Sequence, residues 1–123
     1  MSTVALDEAT FADTVQNNDM VLIDFWAEWC GPCRMFGPVY EKVSEDFPEI
    51  VFAKVDTEAQ QGLGQAFNIS SIPTLMVIRD GVVLFNQAGA LPEPELRKLV
   101  SAVQDIDMTE VHAKIAEEQA KQS

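Results

Sequence analysis

Apolar residues along the chain fall into short runs whose period changes from one to the next. Residues 20–26, Met-Val-Leu-Ile-Asp-Phe-Trp, are apolar at every position but Asp24. A run so short and so nearly unbroken predicts a strand buried on both faces. Residues 50–55 read as a second buried strand, alternating around Ala53. Residues 74–79 and 82–88 are two further strands, joined through Asp80-Gly81, a dipeptide that favours a tight antiparallel hairpin. Residues 4–6 are a short additional strand.

Between the strands the period lengthens. Residues 7–17 predict a helix with Asp7 as its N-cap and Phe11 and Val15 on one face. Residues 33–47 place Phe36, Val39, Tyr40, Val43 and Phe47 at helical spacing, with a kink expected at Pro38. Residues 60–67 form a short helix weakened by Gly62 and Gly64. Residues 93–105 carry Leu96, Leu99, Val100 and Val103 on one face. The order of elements predicts an α/β sandwich: a mixed sheet with an antiparallel edge and helices on both sides. Residues 106–123 are set apart as a C-terminal extension to a domain spanning residues 1–105. In that extension Met108, Val111 and Ile115 make a narrow apolar stripe, and Asp107 with Glu110 makes a capping pair. A helix this short with so narrow a stripe is expected to be frayed or weakly docked.

Composition narrows the class. The chain has 123 residues, enough for one core but not two. No apolar run approaches the roughly 20 residues of a membrane span. The first residues lack a basic and then apolar leader, so a cytoplasmic protein is expected. The net charge of −12 argues against nucleic acid and anionic lipid as partners. The acids are spread along the chain, which fits solubility better than an interaction tail. No long apolar patch is evident, so a monomer is expected.

The two cysteines are three residues apart, in Trp29-Cys30-Gly31-Pro32-Cys33. A bridge across so short a loop removes little entropy from the unfolded chain, so stability is a poor reason for the pair. Two cysteines and the distant His112 fall short of the four ligands of a structural zinc site. Redox chemistry is the favoured reading, with a metal site bridging two chains as the alternative. Cys30 precedes the helix, where unpaired N–H groups and the helix dipole favour a thiolate. Pro32 sits in the first turn, where its missing N–H costs nothing. Cys33 is one turn on, within reach of Cys30 and turned inward. Cys30 is thus the expected nucleophile toward a disulfide and Cys33 the resolving thiol. Asp24, interrupting an apolar strand, is the expected proton acceptor for Cys33, with a raised pKa. Lys54, on the next strand, is placed to pair with Asp24 and moderate that shift.

The segment from Asp24 to Cys33, Asp-Phe-Trp-Ala-Glu-Trp-Cys-Gly-Pro-Cys, closely resembles the active-site segment of bacterial thioredoxins. Ile72-Pro73-Thr74 resembles that family's cis-proline loop, and Gly89-Ala90 resembles the glycine after its last strand. Lys54 falls at the matching strand position. The resemblance runs from about residue 6 to about residue 104. It implies a central five-stranded sheet flanked by four helices, with Pro73 cis beside the cysteines. It implies a flat contact patch made by Trp29, Gly31, Pro32, Ile72, Pro73, Gly89 and Ala90, with Ile72 pairing its backbone to an extended client peptide. It implies electrons from a flavin-containing, NADPH-dependent thioredoxin reductase, no cofactor of the chain's own, and disulfide-containing client proteins. Gly-Pro between the cysteines resembles the reducing members, where oxidising and isomerising relatives usually place a histidine. Phe36-Gly37 departs from the smaller aliphatic residue and alanine common in relatives. A disulfide oxidant or isomerase and a thioredoxin-fold binding module stand as alternatives.

Overall fold

A computed structural model describes residues 2–122. The elements are β1 (Thr3–Ala5), α1 (Phe11–Asn17), β2 (Met20–Trp26), α2 (Gly31–Glu45), β3 (Val51–Asp56), α3 (Gln61–Ala66), β4 (Thr74–Arg79), β5 (Val82–Ala88), α4 (Glu93–Gln104) and α5 (Met108–Gln122). The five strands form one sheet in the order β1-β3-β2-β4-β5. β1, β3 and β2 run parallel, while β4 pairs antiparallel with both β2 and β5. The mixed sheet with an antiparallel edge is therefore as expected, and β2 lies at its centre.

Alternation along the strands sorts the core into two layers. Leu22, Phe52, Leu75 and Val77 pack with Phe36, Tyr40 and Val43 of α2 and with Leu96, Val100 and Val103 of α4. On the opposite face Val21, Ile23, Phe25, Val55 and Met76 pack with Leu63 of α3 and the partly buried Phe11 and Val15 of α1. A strand covered on both sides has no face for polar residues, which is why β2 reads as a nearly continuous apolar run. Asp24 shares its parity with Leu22 and so lies on the face that α2 covers.

Several helix limits differ from the sequence expectation. α1 starts at Phe11 with Thr10 at its N-cap, not at Asp7. The Asp7 carboxylate instead accepts hydrogen bonds from Thr10 N (2.8 Å) and Thr10 Oγ1 (3.0 Å), closing a turn ahead of the helix. α2 starts two residues early, at Gly31, because Cys30 itself is the N-cap, and it continues through Pro38. β3 is shifted one residue, to Val51–Asp56. α5 is a continuous helix with Met108 buried and Val111 and Ile115 half-buried. Its first turn is held by Asp107 Oδ1, which accepts from Thr109 N at 2.9 Å. Arg79, at the end of β4, donates to the carbonyls of Val103, Gln104 and Ile106 (2.7, 3.0 and 2.6 Å), tying the α4–α5 turn to the sheet.

α3 forms despite its glycines because a distant residue caps it. Glu8 Oε1 accepts from Gly62 N at 3.1 Å, and Glu8 N donates to Gln60 Oε1 at 3.1 Å. A Cβ on Gly62 would lie 2.5 Å from Glu8 Oε1. Gly62 thus leaves room for the cap that offsets its own poor helix propensity. Two opposed effects follow. Glu8→Ala is expected to lower stability by about 1 kcal/mol. Gly62→Ala, worth about 1 kcal/mol of gain in an ordinary helix, is expected to be near neutral, because it displaces Glu8. On the Glu8→Ala background the same substitution recovers its gain. Urea unfolding of the two single variants and the double variant reads the coupling.

Candidate active site

Cys30 and Cys33 are joined as a disulfide at the N-terminus of α2, with Cα atoms 5.2 Å apart. Cys30 Sγ accepts from Cys33 N at 3.2 Å, so the sulfur takes the place of an N-cap oxygen. Both side chains are nearly covered, Cys30 at 4% exposure and Cys33 at 5%. The covering of Cys30 as well as Cys33 comes from outside α2: the two pack with Ala27, Trp26 and Ile72.

The loop before β4 supplies that cover. The Ile72–Pro73 peptide is cis, as the resemblance implied. Cys30 Sγ lies 3.6 Å from the Ile72 carbonyl oxygen. The end of β5 is tied to the same loop, since Gly89 N donates to Pro73 O at 2.8 Å. Gly89 has φ of +114°, a conformation that glycine adopts without the clash a Cβ would bring. Ala90 follows it and is exposed, as are Gly31 and Pro32 at the start of α2.

Trp29 is 66% exposed, and its indole Nε1 donates to Glu58 Oε1 at 2.5 Å. A large apolar ring fixed at the surface by its polar edge forms a rigid wall. Trp29 and Ile72 border an open depression of about 780 Å³, whose far side is Gln61, Gln65, Asn68 and Ile69. Glu58 was not picked out by the sequence reading. It lies in the turn after β3, and nothing in the chain order marks it as the partner of a residue 29 positions away.

Asp24 has no exposed surface, and neither carboxylate oxygen has a hydrogen-bond partner among the described residues. Burial raises its pKa to about 7, and the Lys54 charge lowers it somewhat against that trend. Asp24 and Lys54 are register partners on adjacent strands. Lys54 acts on Asp24 through space, while its ammonium lies 4.8 Å from the Trp26 ring centroid. On the other side of Asp24, Leu75 is its apolar partner on β4. From α2, Tyr40 contributes a buried hydroxyl that donates to Ala53 O at 2.8 Å. Burial, then the Asp24 charge, pushes the Tyr40 pKa well above its usual value. A crevice of about 370 Å³ reaches Cys33 from the side, between Trp26, Ala27, Gly37 and Lys54.

The family profile described as Thioredoxin matches residues 2–104. The chain belongs to the thioredoxin family. It is a thiol–disulfide oxidoreductase, with its redox pair in the disulfide state. A Streptomyces coelicolor protein provisionally named thioredoxin 2 is 58% identical over 120 residues, covering 98% of this chain and 90% of that protein. Thioredoxin of Haemophilus influenzae is 37% identical over 98 residues, 78% of this chain and 92% of that one. Among solved structures, a mutant thioredoxin from Halobacterium salinarum superposes with a TM-score of 0.79 at 31% identity, over 86% of this chain and 94% of that one. α5 lies beyond the matched family profile, yet an alignment covering 120 of 123 residues includes most of it in the Streptomyces relative. Among the described residues no helix is long and apolar enough to cross a membrane, and no cluster of three or more metal-ligating side chains occurs.

The buried carboxyl makes stability depend on pH with a definite sign. Its folded-state pKa of about 7 lies above the ordinary value of 3.8. Between those values the folded chain holds a proton that the unfolded chain has released, so stability falls as pH rises from about 4 to about 7. Asp24→Asn is expected to remove this slope and to stabilise the protein at pH 8, by up to about 3–4 kcal/mol. Urea unfolding at pH 5 and pH 8 reads the difference; equal gains at both pH values would contradict it.

Proposed function

We propose that the protein is a reductant of protein disulfides, with Cys30 as nucleophile, Cys33 as resolving thiol and Asp24 as proton acceptor. The observation that carries the reading is the placement of an unpartnered buried carboxyl under α2, on the sheet face that carries Leu22 and against which Tyr40 packs. In the reduced dithiol, the Cys30 thiolate is favoured by the N–H of Cys33 and the end of the helix dipole. The thiolate attacks one sulfur of a client disulfide. A mixed disulfide forms, the client S–S bond breaks, and one client sulfur leaves as a thiolate that is then protonated.

Cys33 next gives its proton to Asp24 and attacks Cys30 Sγ. The mixed bond breaks, the second client sulfur leaves with its electron pair, and the Cys30–Cys33 disulfide seen here is the product. Two electrons have passed to the client. The resolving step is intramolecular, so it needs no second encounter. A carboxyl with a pKa of about 7 is half-ionised near neutrality and can take and return a proton at low cost.

Trp29, Gly31, Pro32, Ile72, Pro73, Gly89 and Ala90 make the client-contact patch in this reading, with the Ile72 backbone as a strand-like edge. A flavin-containing thioredoxin reductase using NADPH returns the disulfide to the dithiol, and the chain needs no cofactor of its own. Such a cycle belongs in the reducing cytoplasm.

Insulin disulfide reduction with dithiothreitol as electron donor tests the reading. The wild type should turn over and Cys30→Ser should be inactive. Asp24→Asn should slow the reaction by at least about tenfold. No turnover by the wild type would overturn the reductant reading and favour an oxidant or a binding module.

A further inference from the structure

Lys54 is the only cation that faces Asp24 among the described residues, and what holds its ammonium in place is not Asp24. Trp26 and Asp24 lie two residues apart on β2 and share a face. Lys54, registered to Asp24, is therefore a diagonal neighbour of Trp26, and its Nζ lies 4.8 Å from the ring centroid. That distance is within the range of a cation–π contact, which is strongest with tryptophan. Gly37 of α2 lies on the other side of the same ammonium: a Cβ there would meet Nζ at 3.9 Å, an ordinary contact distance.

Three of the carboxylates that border the depressions beside Lys54 are engaged elsewhere. Glu41 borders the crevice but accepts from Ser2 N and Thr3 Oγ1. Asp7 and Asp56 border the depression on the other side of Lys54. Asp7 is held by Thr10, and Asp56 accepts from the backbone N–H groups of Glu58 and Ala59. Glu28 is exposed at the outer rim beside Arg34, whose Nε donates to the Glu28 backbone carbonyl and leaves its carboxylate in solvent. The groups coupled to Asp24 are Lys54 from β3 and Tyr40 from α2, and Leu75 is its apolar register partner on β4.

We propose that Trp26 is a positioning residue: its ring seats the Lys54 ammonium beside Asp24, so that Trp26 tunes proton transfer at Asp24 without touching a client. A seated ammonium favours the carboxylate from a fixed position. A lysine free to swing into water would do so less, because its charge would be screened. The inference rests on the reading of Asp24 as the proton acceptor.

The test is an NMR titration of the Asp24 carboxyl carbon in the reduced full chain, which does not depend on activity. Trp26→Leu should raise the Asp24 midpoint by about half a pH unit, since it removes the cation–π seat. Trp26→Phe should raise it by less. Lys54→Met should raise it at least as far as Trp26→Leu, and adding Trp26→Leu to Lys54→Met should give no further rise. A midpoint that stays or falls in Trp26→Leu overturns the proposal, as does an equal rise on both backgrounds, which would mean that the ring acts through burial alone. The wild type supplies a check that needs no variant: the Lys54 ε-protons should be shifted upfield by the Trp26 ring, and unshifted protons overturn the seat. Loss of the Asp24→Asn effect on insulin reduction would instead remove the proton-acceptor role while leaving the seat measurable.

Discussion

A carboxyl group sealed inside the central strand organises the site. β2 is covered by helices on both faces and by strands on both edges, so Asp24 has no exposed surface and no hydrogen-bond partner among the described residues. An ionised carboxyl there is costly, and the cost appears as a pKa near neutrality rather than as disorder. The same burial makes Asp24 unfavourable for stability and gives it the near-neutral pKa that the proposed proton transfer calls for. Lys54 offsets part of the cost from the neighbouring strand, at a distance that leaves both carboxylate oxygens free.

Above that group the cysteines depend on a helix that begins at the right residue. With a β/extended N-cap at Cys30, the sulfur meets the first free N–H groups of α2 in place of an oxygen. The cover over the pair comes from segments far apart in the chain. Ile72-Pro73 precedes β4, Gly89 ends β5, and the bond from Gly89 N to Pro73 O holds them together. Trp29 is braced from a third segment by Glu58. The scaffold that carries these loops is rigid because its core is divided between two well-filled layers, while the loops themselves remain at the surface.

Charge plays a local part in this acidic chain. The net charge of −12 is spread over exposed residues, but several acids have specific tasks. Glu8 caps α3, Asp7 closes a turn, and Glu41 fastens the N-terminal strand to α2. Arg97 joins Asp46 and Glu93, linking α4 to the end of α2. Exposed pairs of this kind each add little stability. The hydrogen bonds to Asp7 and Glu41 occupy two carboxylates that border the depressions beside Lys54.

Much of this was legible in the chain order, for a physical reason. Period and breaker residues mark strands and helices locally, and β2 announced its burial by lacking polar positions. Asp24 stood out as the exception to that run, and Cys30 and Cys33 stood out by spacing next to a helix start. These signals are carried within a few residues, so the sequence alone determined the elements, the mixed sheet and the redox pair. Helix ends were less legible. Asp7, Cys30 and Gly62 take their roles from partners that local propensity does not register. Tertiary structure alone decided that Glu58 holds Trp29, that Glu8 rescues α3, and that Arg79 binds the α4–α5 turn. It also decided that Lys54 leans on Trp26 rather than on the carboxyl it faces. Each is a contact between residues distant in sequence, whose distance and angle depend on how whole layers pack, and no pattern along a single chain encodes that directly.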